Sequence, residues 1–152
     1  MHDLFATTYK MNSASQNNGG WKSSAMRTST MATMKGYLPD DWEAIIKPVN
    51  KASSMGGNST SGTEIVSDNC FLLAEIEIFG STTRSVPGEG TKYAYYKAGN
   101  SNVKNMSRSP NIWWMRSHRS GQKGQFCNVS KTGKVSANYA NHSEGVAFAF
   151  CV

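Results

Sequence analysis

The sequence predicts an α+β fold in which two helices pack against a small antiparallel sheet and long irregular loops connect the elements. Apolar residues at helical spacing are confined to residues 21–47, whereas short apolar runs typical of strands begin at residue 65. Only 38% of the residues are hydrophobic, while Ser, Thr, Asn and Gly are abundant, which favours loops over long helices. Because 152 residues fit one domain, we treat residues 1–152 as a single unit.

Both helices are expected in the N-terminal third. Residues 21–34 carry apolar side chains at roughly helical spacing, and Gly36 is placed to cap that helix. Residues 39–47 begin with acidic side chains, which interact favourably with the positive end of the helix dipole, and Pro48 ends the helix. We interpret the methionines of this region as core residues rather than as a ligand groove: Met11, Met26, Met31 and Met34.

Strands are expected mainly in the second half of the chain. The final one has apolar side chains on both faces, so it is predicted to be buried on both sides. Residues 75–79 alternate acids with aliphatics, which fits a strand, although a turn of helix is an alternative. The predicted strands are residues 65–66, 70–73, 113–117, 126–129 and 145–152.

The stretches between these strands are predicted to be loops. Residues 51–64 are small and polar without periodicity, and residues 80–111 are rich in Gly, Ser, Pro, Asn and Lys. The second stretch contains Tyr93, Tyr95 and Tyr96, which either pin it to the core, the interpretation we prefer, or stack on a sugar or a base.

Several function classes lack support in the sequence. No N-terminal signal peptide and no apolar run long enough to span a membrane is recognisable. Cys70, Cys127 and Cys151 lie in apolar runs without C-x-x-C spacing, so buried free thiols are expected, with one disulfide as the alternative. Neither a phosphate-binding loop nor a histidine motif of a metalloenzyme is present. We therefore expect a protein that is not an enzyme and holds no metal or cofactor.

Charge is distributed unevenly along the chain. Residues 1–89 contain seven Lys/Arg and nine Asp/Glu, whereas residues 90–152 contain nine Lys/Arg and a single acid, Glu144. A positive field over the second half would steer anionic partners towards it, although solvated loop charges are the plainer interpretation. The basic residues of that half are Lys92, Lys97, Lys104, Arg108, Arg116, Arg119, Lys123, Lys131 and Lys134.

Five ordered motifs carry a family resemblance: FLLAEIEIFG at 71–80, YAYY at 93–96, WWMRS at 113–117, FCNV at 126–129 and GVAFAFC at 145–151. Together they resemble a domain of unknown function found in gut-bacterial surface proteins and phage structural proteins, with signatures W-W-L-R-S-P and G-V-x-P-A-F. His118 stands where that pattern has Pro. The resemblance covers nearly the whole chain and implies a variant of the C-type-lectin and formylglycine-generating-enzyme fold.

The resemblance also implies a use. Domains of this kind occur as variable proteins of diversity-generating retroelements, in which exposed residues of a C-terminal repeat change while the scaffold stays fixed. Residues 113–152 would then carry the display loops. The scaffold would comprise Trp113, Trp114, Arg116, Phe126, Cys127, Val129, Gly133, Val146, Phe148 and Phe150. The ligand-facing set would comprise Met115, His118, Arg119, Ser120, Gln122, Lys123, Gln125, Ser130, Lys131, Lys134, Ser136, Tyr139, His142 and Glu144.

These observations favour a receptor-binding domain of a phage tail or a bacterial surface protein. The expected partner is an anionic protein or glycan on a host cell, and the expected location is a virion tail or a bacterial cell surface. The sequence also allows a homo-oligomer within a larger tail or surface assembly. Two alternatives remain: a structural module of a virion or surface array without a selective ligand, and a basic nucleic-acid-binding domain that uses its tyrosines for stacking. No nucleic-acid-binding module is recognisable, which makes nucleic acid the weaker expectation.

Overall fold

The computed structural model describes residues 7–152, and its short helices and small antiparallel sheets form a mixed α+β fold. The α+β prediction is therefore confirmed at the level of class. Among the described residues, no helix is both long and apolar enough to cross a membrane. The individual elements differ from the prediction where polar side chains decide the local conformation.

The first predicted helix is divided into three pieces. They are α1 (Gly20–Ser23), a π-helix (Met26–Thr30) and α2 (Met31–Lys35). Ser24 causes the first break: its backbone is extended, its hydroxyl donates to the Trp21 carbonyl at 2.9 Å, and the same oxygen accepts the Arg27 N–H at 3.2 Å. Gly36 caps the end of α2, as predicted.

The second predicted helix is much shorter than residues 39–47. The helix α3 spans Asp40–Glu43, and none of its side chains is buried. A four-residue helix without a packed face gains little from further turns, because tertiary burial rather than propensity stabilises most protein helices. The chain extends instead, and Lys47 forms an isolated antiparallel bridge with Cys151.

A short strand, β1 (Tyr9–Lys10), precedes these helices, and three further strands follow them. The strands β2 (Val49–Ser54) and β3 (Thr63–Asp68) form an antiparallel hairpin with an unbroken register from Val49↔Asp68 to Ser54↔Thr63. The strand β4 (Cys70–Leu72) follows and is fully buried. The predicted strands at 65–66 and 70–73 are confirmed. The loop prediction is wrong at both ends of residues 51–64, since residues 51–54 belong to β2 and residues 63–64 to β3 and the two strands pair despite their polar sequence.

Residues 75–79 form a helix, α4 (Glu75–Phe79), so their helical alternative is correct and the strand interpretation is wrong. The Glu77 carboxylate accepts the Ala74 N–H at 2.8 Å and thereby caps the first turn, and Gly80, with φ 78°, ends the helix. The predicted 80–111 loop contains a further short helix, α5 (Ala94–Lys97), and a hairpin. The hairpin strands are β5 (Lys104–Met106) and β6 (Ser109–Asn111).

The largest sheet contains β7 (Trp113–His118), β8 (Gln125–Val129) and β9 (Val135–Tyr139) in that order. Both predicted strands at 113–117 and 126–129 are confirmed. The strand β9 lies largely in a stretch expected to be loop. It continues to β10 (Ser143–Glu144), which pairs with β1.

The final strand is shorter and less buried than predicted. Only Phe148–Phe150 forms a strand, β11, which pairs with β4. Its three residues are half-buried, and Cys151 and Val152 are exposed. The prediction of burial on both sides is wrong, since none of the three residues of β11 is fully buried.

The core combines methionines from the N-terminal third with tryptophans from the large sheet. Met11, Met26, Met31 and Met34 are all buried, which confirms their interpretation as core residues. All three cysteines are free, but Cys151 is exposed rather than buried. Tyr96 is buried and Tyr93 half-buried, as expected of residues that pin a loop, whereas Tyr95 is 45% exposed.

Candidate ligand-binding site

The register of the large sheet separates the predicted ligand-facing residues into two groups. Gln125 pairs with Tyr139 at one end of β8, and Val129 pairs with Val135 at the other. Four residue steps at the rise of a strand put these ends roughly 13 Å apart. Segments 119–125 and 139–143, which we call the recognition loops, lie at the first end. The turn 130–134 lies at the second end, so the predicted set does not form one surface.

The backbone of the first recognition loop is anchored by Asn17, which is fully buried. The Asn17 amide donates to the carbonyls of Gln122 at 2.7 Å and Gln125 at 2.6 Å, while its oxygen accepts the Gly57 N–H at 2.8 Å. The neighbouring Gly56 has φ 74°, and a Cβ there would lie 1.9 Å from the Asn17 carbonyl oxygen. This close approach of backbones fixes the loop without using its own side chains.

A second set of contacts ties the same loop to the backbone at Arg84 and Ser59. The Ser120 N–H donates to the Arg84 carbonyl at 2.8 Å, and the Gly121 N–H donates to the Ser59 carbonyl at 2.9 Å. The segment around Arg84 is in turn held by Glu75, whose buried carboxylate accepts the N–H groups of residues 83, 84 and 85 at 2.6–3.1 Å. The loop therefore rests on a fixed backbone on both flanks.

Several side chains of the recognition loops are directed to solvent. Gln122, Lys123, Tyr139 and His142 are exposed, and the rings of Tyr139 and His142 lie 6.2 Å apart. Arg119 is half-buried, and its guanidinium donates to the Gln125 side-chain oxygen at 2.7 Å within the same loop. The remaining half-buried members of the predicted set at this end are Ser120 and Gln125. Cationic, aromatic and amide groups are thus presented together.

The turn at the other end of β8 presents a smaller polar group. Lys131 and Lys134 are exposed, while Ser130 is half-buried and its hydroxyl accepts the Lys134 N–H at 3.0 Å. Gly133, with φ 76°, lies against Asn102, since a Cβ there would be 2.4 Å from the Asn102 side-chain oxygen. The turn therefore packs on the segment that precedes the β5–β6 hairpin.

Beneath β7 lies a network of buried charges centred on Arg116, which is fully buried. All three guanidinium nitrogens donate, and the acceptors belong to β2, β4, α4 and the segment around residue 89. Two of the acceptor carbonyl oxygens lie 3.0 Å from a guanidinium nitrogen, and a third lies 2.7 Å from one. The acceptors are the carbonyls of Ala52, Leu72 and Glu89, the Ser53 hydroxyl and the Glu77 carboxylate. One side chain thus joins four segments of the scaffold.

Two glutamates complete this network with opposite pKa shifts. For Glu77, burial alone would raise the pKa, but the ion pairs with Arg116 and Lys51 hold it below its usual value. For Glu89, burial raises the pKa although its carboxylate accepts the Ser54 N–H at 2.9 Å and the Ser117 hydroxyl. The two carboxylates therefore have different protonation preferences beside one guanidinium.

An apolar pocket opens beside Trp113, at the same end of the sheet as the 130–134 turn. It has a volume of about 100 Å³. The Trp113 indole N–H donates to the Asn102 carbonyl at 3.0 Å, which fixes one wall against the segment that supports the turn. We call it the Trp113 pocket; its principal lining residues are Leu73, Tyr96, Lys104, Ile112, Trp113 and Phe148.

Comparison with known proteins places the chain in a family. A model of the domain of unknown function DUF6273 matches residues 1–152. The chain belongs to the DUF6273 family. No curated protein and no solved structure matches this DUF6273 chain.

Three predicted ligand-facing residues of the DUF6273 chain are buried, which corrects the expectation that they face a ligand. Met115 and His118 are 0% exposed and Glu144 is 4% exposed. The ladder between β7 and β8 shifts register between Trp114 and His118, and every residue of β7 is buried, so strand alternation does not bring Met115 to the surface.

His118 and Glu144 have structural partners instead of a ligand. One ring nitrogen of His118 lies 3.0 Å from the Ser59 carbonyl, and burial lowers the pKa of the imidazole. Glu144 accepts the side-chain amides of Asn128 and Asn138 at 2.8–3.0 Å, and burial raises its pKa. Ser136, another predicted residue, lies half-buried in β9 opposite Asn128.

Because more acidic than basic side chains are buried, the surface of the DUF6273 domain carries a larger positive charge than the net charge of +6 indicates. Among the described residues, Arg116 is the single Lys or Arg that is buried, whereas five of the nine acids are buried. The buried acids are Asp68, Glu75, Glu77, Glu89 and Glu144. Sequence counting could not separate buried from solvated charge, so it understated the positive surface.

The described residues contain no group of three or more His, Cys, Asp or Glu side chains able to hold a metal ion. The residues that sequence reasoning missed are Asn17, which anchors the recognition loop, and the wall of the Trp113 pocket formed by the β5–β6 hairpin. Asn17 lies in a run of polar residues that carries no periodic signal. Its role follows only from contacts more than 100 positions away in sequence.

Proposed function

We propose that this DUF6273 domain is a receptor-binding display domain of a phage tail or bacterial surface protein, and that its recognition loops bind an anionic ligand on a host cell. One observation carries the proposal. The backbone of loop 119–125 is fixed by Asn17, Arg84 and Ser59, while Gln122 and Lys123 are exposed. Such a loop keeps its shape when its exposed side chains change.

The charge distribution supports an anionic partner. Five of the nine acids in the described chain are buried, and Lys123, Lys131 and Lys134 are exposed, so the surface that a partner meets is basic. A positive surface raises the rate of association with anionic glycans or proteins. Exposed Tyr139 beside His142 adds ring faces suited to sugars or to protein side chains.

The finer fold assignment, a C-type-lectin-like variant diversified by a retroelement, belongs to the same proposal. It is supported by the small sheets, the short helices and the division between buried and exposed residues within 113–144. In such a system mutation would be tolerated at Gln122, Lys123 and Tyr139, whose side chains are exposed. It would be excluded at Met115 and Arg116, whose side chains are fully buried.

A structural role within a particle is favoured by a different surface. Trp42, Ile45 and Val152 are 49–61% exposed, and Trp42 contacts Phe150 edge to face at 5.9 Å. Adjacent exposed apolar side chains of this kind often mark a contact with another protein. A module that packs into an array through this face would need no selective ligand at the recognition loops.

The test is capture of intact gut bacteria and binding to a glycan array at low and moderate salt, with single-stranded DNA as competitor. The Arg119→Ala/Lys123→Ala variant should lose capture while its melting temperature stays nearly unchanged. The matched control, Lys131→Ala/Lys134→Ala, removes the same charge from the opposite end of β8 and should retain capture.

Other outcomes would contradict the proposal. Equal losses in both variants, together with binding that salt or DNA abolishes, would indicate nonspecific attraction or nucleic-acid binding. A large drop in the melting temperature of the first variant would show that Arg119 and Lys123 are scaffold residues. Absence of capture by the wild type on every host and glycan would favour the structural module.

A further inference from the structure

The Trp113 pocket has the size and lining of a site for one small apolar group. Its volume of about 100 Å³ lies among side chains that are mostly aliphatic or aromatic. An engineered apolar cavity of about 150 Å³ binds benzene, so a space of this order accommodates a single ring or a branched aliphatic group. Because Trp113 and Tyr96 are buried and fixed in the core, two of the pocket walls are preformed.

One charged residue lines this apolar space. Lys104 is half-buried, and its ammonium lies 5.6 Å from the ring centroid of Tyr95 and 6.0 Å from that of Trp113. Among residues 7–152, no carboxylate lies within ion-pairing distance of it. Burial lowers the pKa of Lys104, and no acid in the described chain offsets that effect.

The partly buried basic side chains differ in their ion pairing. Lys51 pairs with Glu77, and Arg27 pairs with Asp68 at 2.6 Å. Partly desolvated charges in proteins are normally compensated in this way. Lys104, like Arg84 and Lys92, has no ion pair among the described residues, and of these three only Lys104 lines the pocket. Within the described part of the chain, Lys104 lies over two ring faces and has no anionic partner, so an anion that reached the pocket would find an available ammonium beside an apolar cavity.

We propose that the Trp113 pocket binds a small apolar carboxylate, with the apolar group in the cavity and the carboxylate on the Lys104 ammonium. This inference goes beyond the proposed receptor binding. The pocket lies at the Trp113 end of the sheet, where Trp113 pairs with Val129, whereas the recognition loops lie at the opposite end of β8, where Gln125 pairs with Tyr139. The two sites therefore make separate predictions.

Phenylacetate is a suitable probe, and phenylacetamide is its neutral counterpart of nearly the same shape. Binding can be followed by the methyl signals of methionine in the full chain. Met106 lines the pocket, whereas Met55, which is 50% exposed, does not and serves as an internal control. Phenylacetate should shift the Met106 signal in a saturable manner and leave Met55 unchanged. Equal shifts of both signals, or no shift of Met106 at millimolar probe, would overturn the proposal.

Lys104→Met keeps the aliphatic stem and removes the charge. It should weaken phenylacetate binding about tenfold, the effect of losing one charge-assisted contact, and leave binding of phenylacetamide unchanged. The control is Lys97→Met, which removes an exposed charge that does not line the pocket and should change neither affinity. If phenylacetate binds equally well to wild type and Lys104→Met, the assignment of Lys104 is wrong.

A second variant tests the cavity itself. Ala147 lines the pocket, and Ala147→Leu should fill part of it and weaken both probes. Unchanged binding of both probes in a folded Ala147→Leu protein would place them elsewhere and overturn the proposal. The Arg119→Ala/Lys123→Ala variant should bind phenylacetate like the wild type, so failure of receptor capture and failure of pocket binding are distinguishable.

Discussion

The network beneath β7 and the recognition loops use similar charged side chains in opposite ways. Arg116 is fully buried and contacts four segments of the scaffold, whereas Lys123 is exposed on a loop whose backbone is fixed by other residues. Burial therefore decides the role of a basic residue in the C-terminal third: a buried one holds the structure together, whereas an exposed one is free to vary.

Arg116→Met should destabilise the domain by about 3–5 kcal/mol, because the surrounding carbonyls lose a buried donor and Glu77 loses one of its two ion-pair partners. Arg116→Lys should restore little, since one ammonium cannot reproduce five directed N–H groups. Unfolding by urea measures both effects. The control Lys123→Ala should change the free energy of unfolding by less than about 0.5 kcal/mol. Comparable effects of Arg116→Met and Lys123→Ala would contradict the division between the two regions.

Met115 tests the division at a residue that the sequence assigned to the variable set. Because its side chain is fully buried, Met115→Ala should cost about 2–5 kcal/mol through lost burial and a new cavity. Tyr139→Ala, at a site 49% exposed, should cost much less while weakening ligand capture. Chemical denaturation of both variants provides the measurement. A nearly unaffected Met115→Ala protein would restore Met115 to the ligand-facing set.

The parts of the fold that sequence reasoning predicted are those in which apolar side chains dominate. The strands β7 and β8 and the buried methionines follow directly from apolar runs, because burial of such runs decides their position. The strand β9 was missed although Val135, Ala137 and Tyr139 alternate with polar residues, since all three are only partly buried or exposed and the signal is weak.

Polar contacts over long sequence distances account for the remaining errors. Glu77 both caps α4 and pairs with Arg116, 39 positions away, and neither contact leaves a periodic pattern in the sequence. Long-range polar contacts also explain why Glu144 was wrongly assigned to the ligand-facing set. Burial of Glu144 depends on the amides of Asn128 and Asn138, whereas the sequence shows only an acid in a polar segment.

Glu144 is a buried acid inside the segment expected to vary. The expected effect on stability is the smallest of the three, but the sign of its pH dependence can be predicted. The folded pKa of Glu144 is raised by burial, so the folded state favours the protonated form. The stability that this group contributes is therefore fully present below its unfolded pKa and is lost as the pH rises through the raised folded value. Glu144→Gln mimics the protonated form and should remove this part of the pH dependence.

The difference in free energy of unfolding between wild type and Glu144→Gln should therefore shift in favour of the wild type as the pH falls from neutral towards 4. The Asn128 side-chain oxygen has no hydrogen-bond partner among residues 7–152, so rotation of that amide would let it accept from the side chain of the Glu144→Gln variant. Glu64→Gln removes the same charge near the surface and controls for net charge. A difference that stays constant with pH would mean that Glu144 ionises as readily in the fold as in the unfolded chain, which would return it to the exposed, variable group.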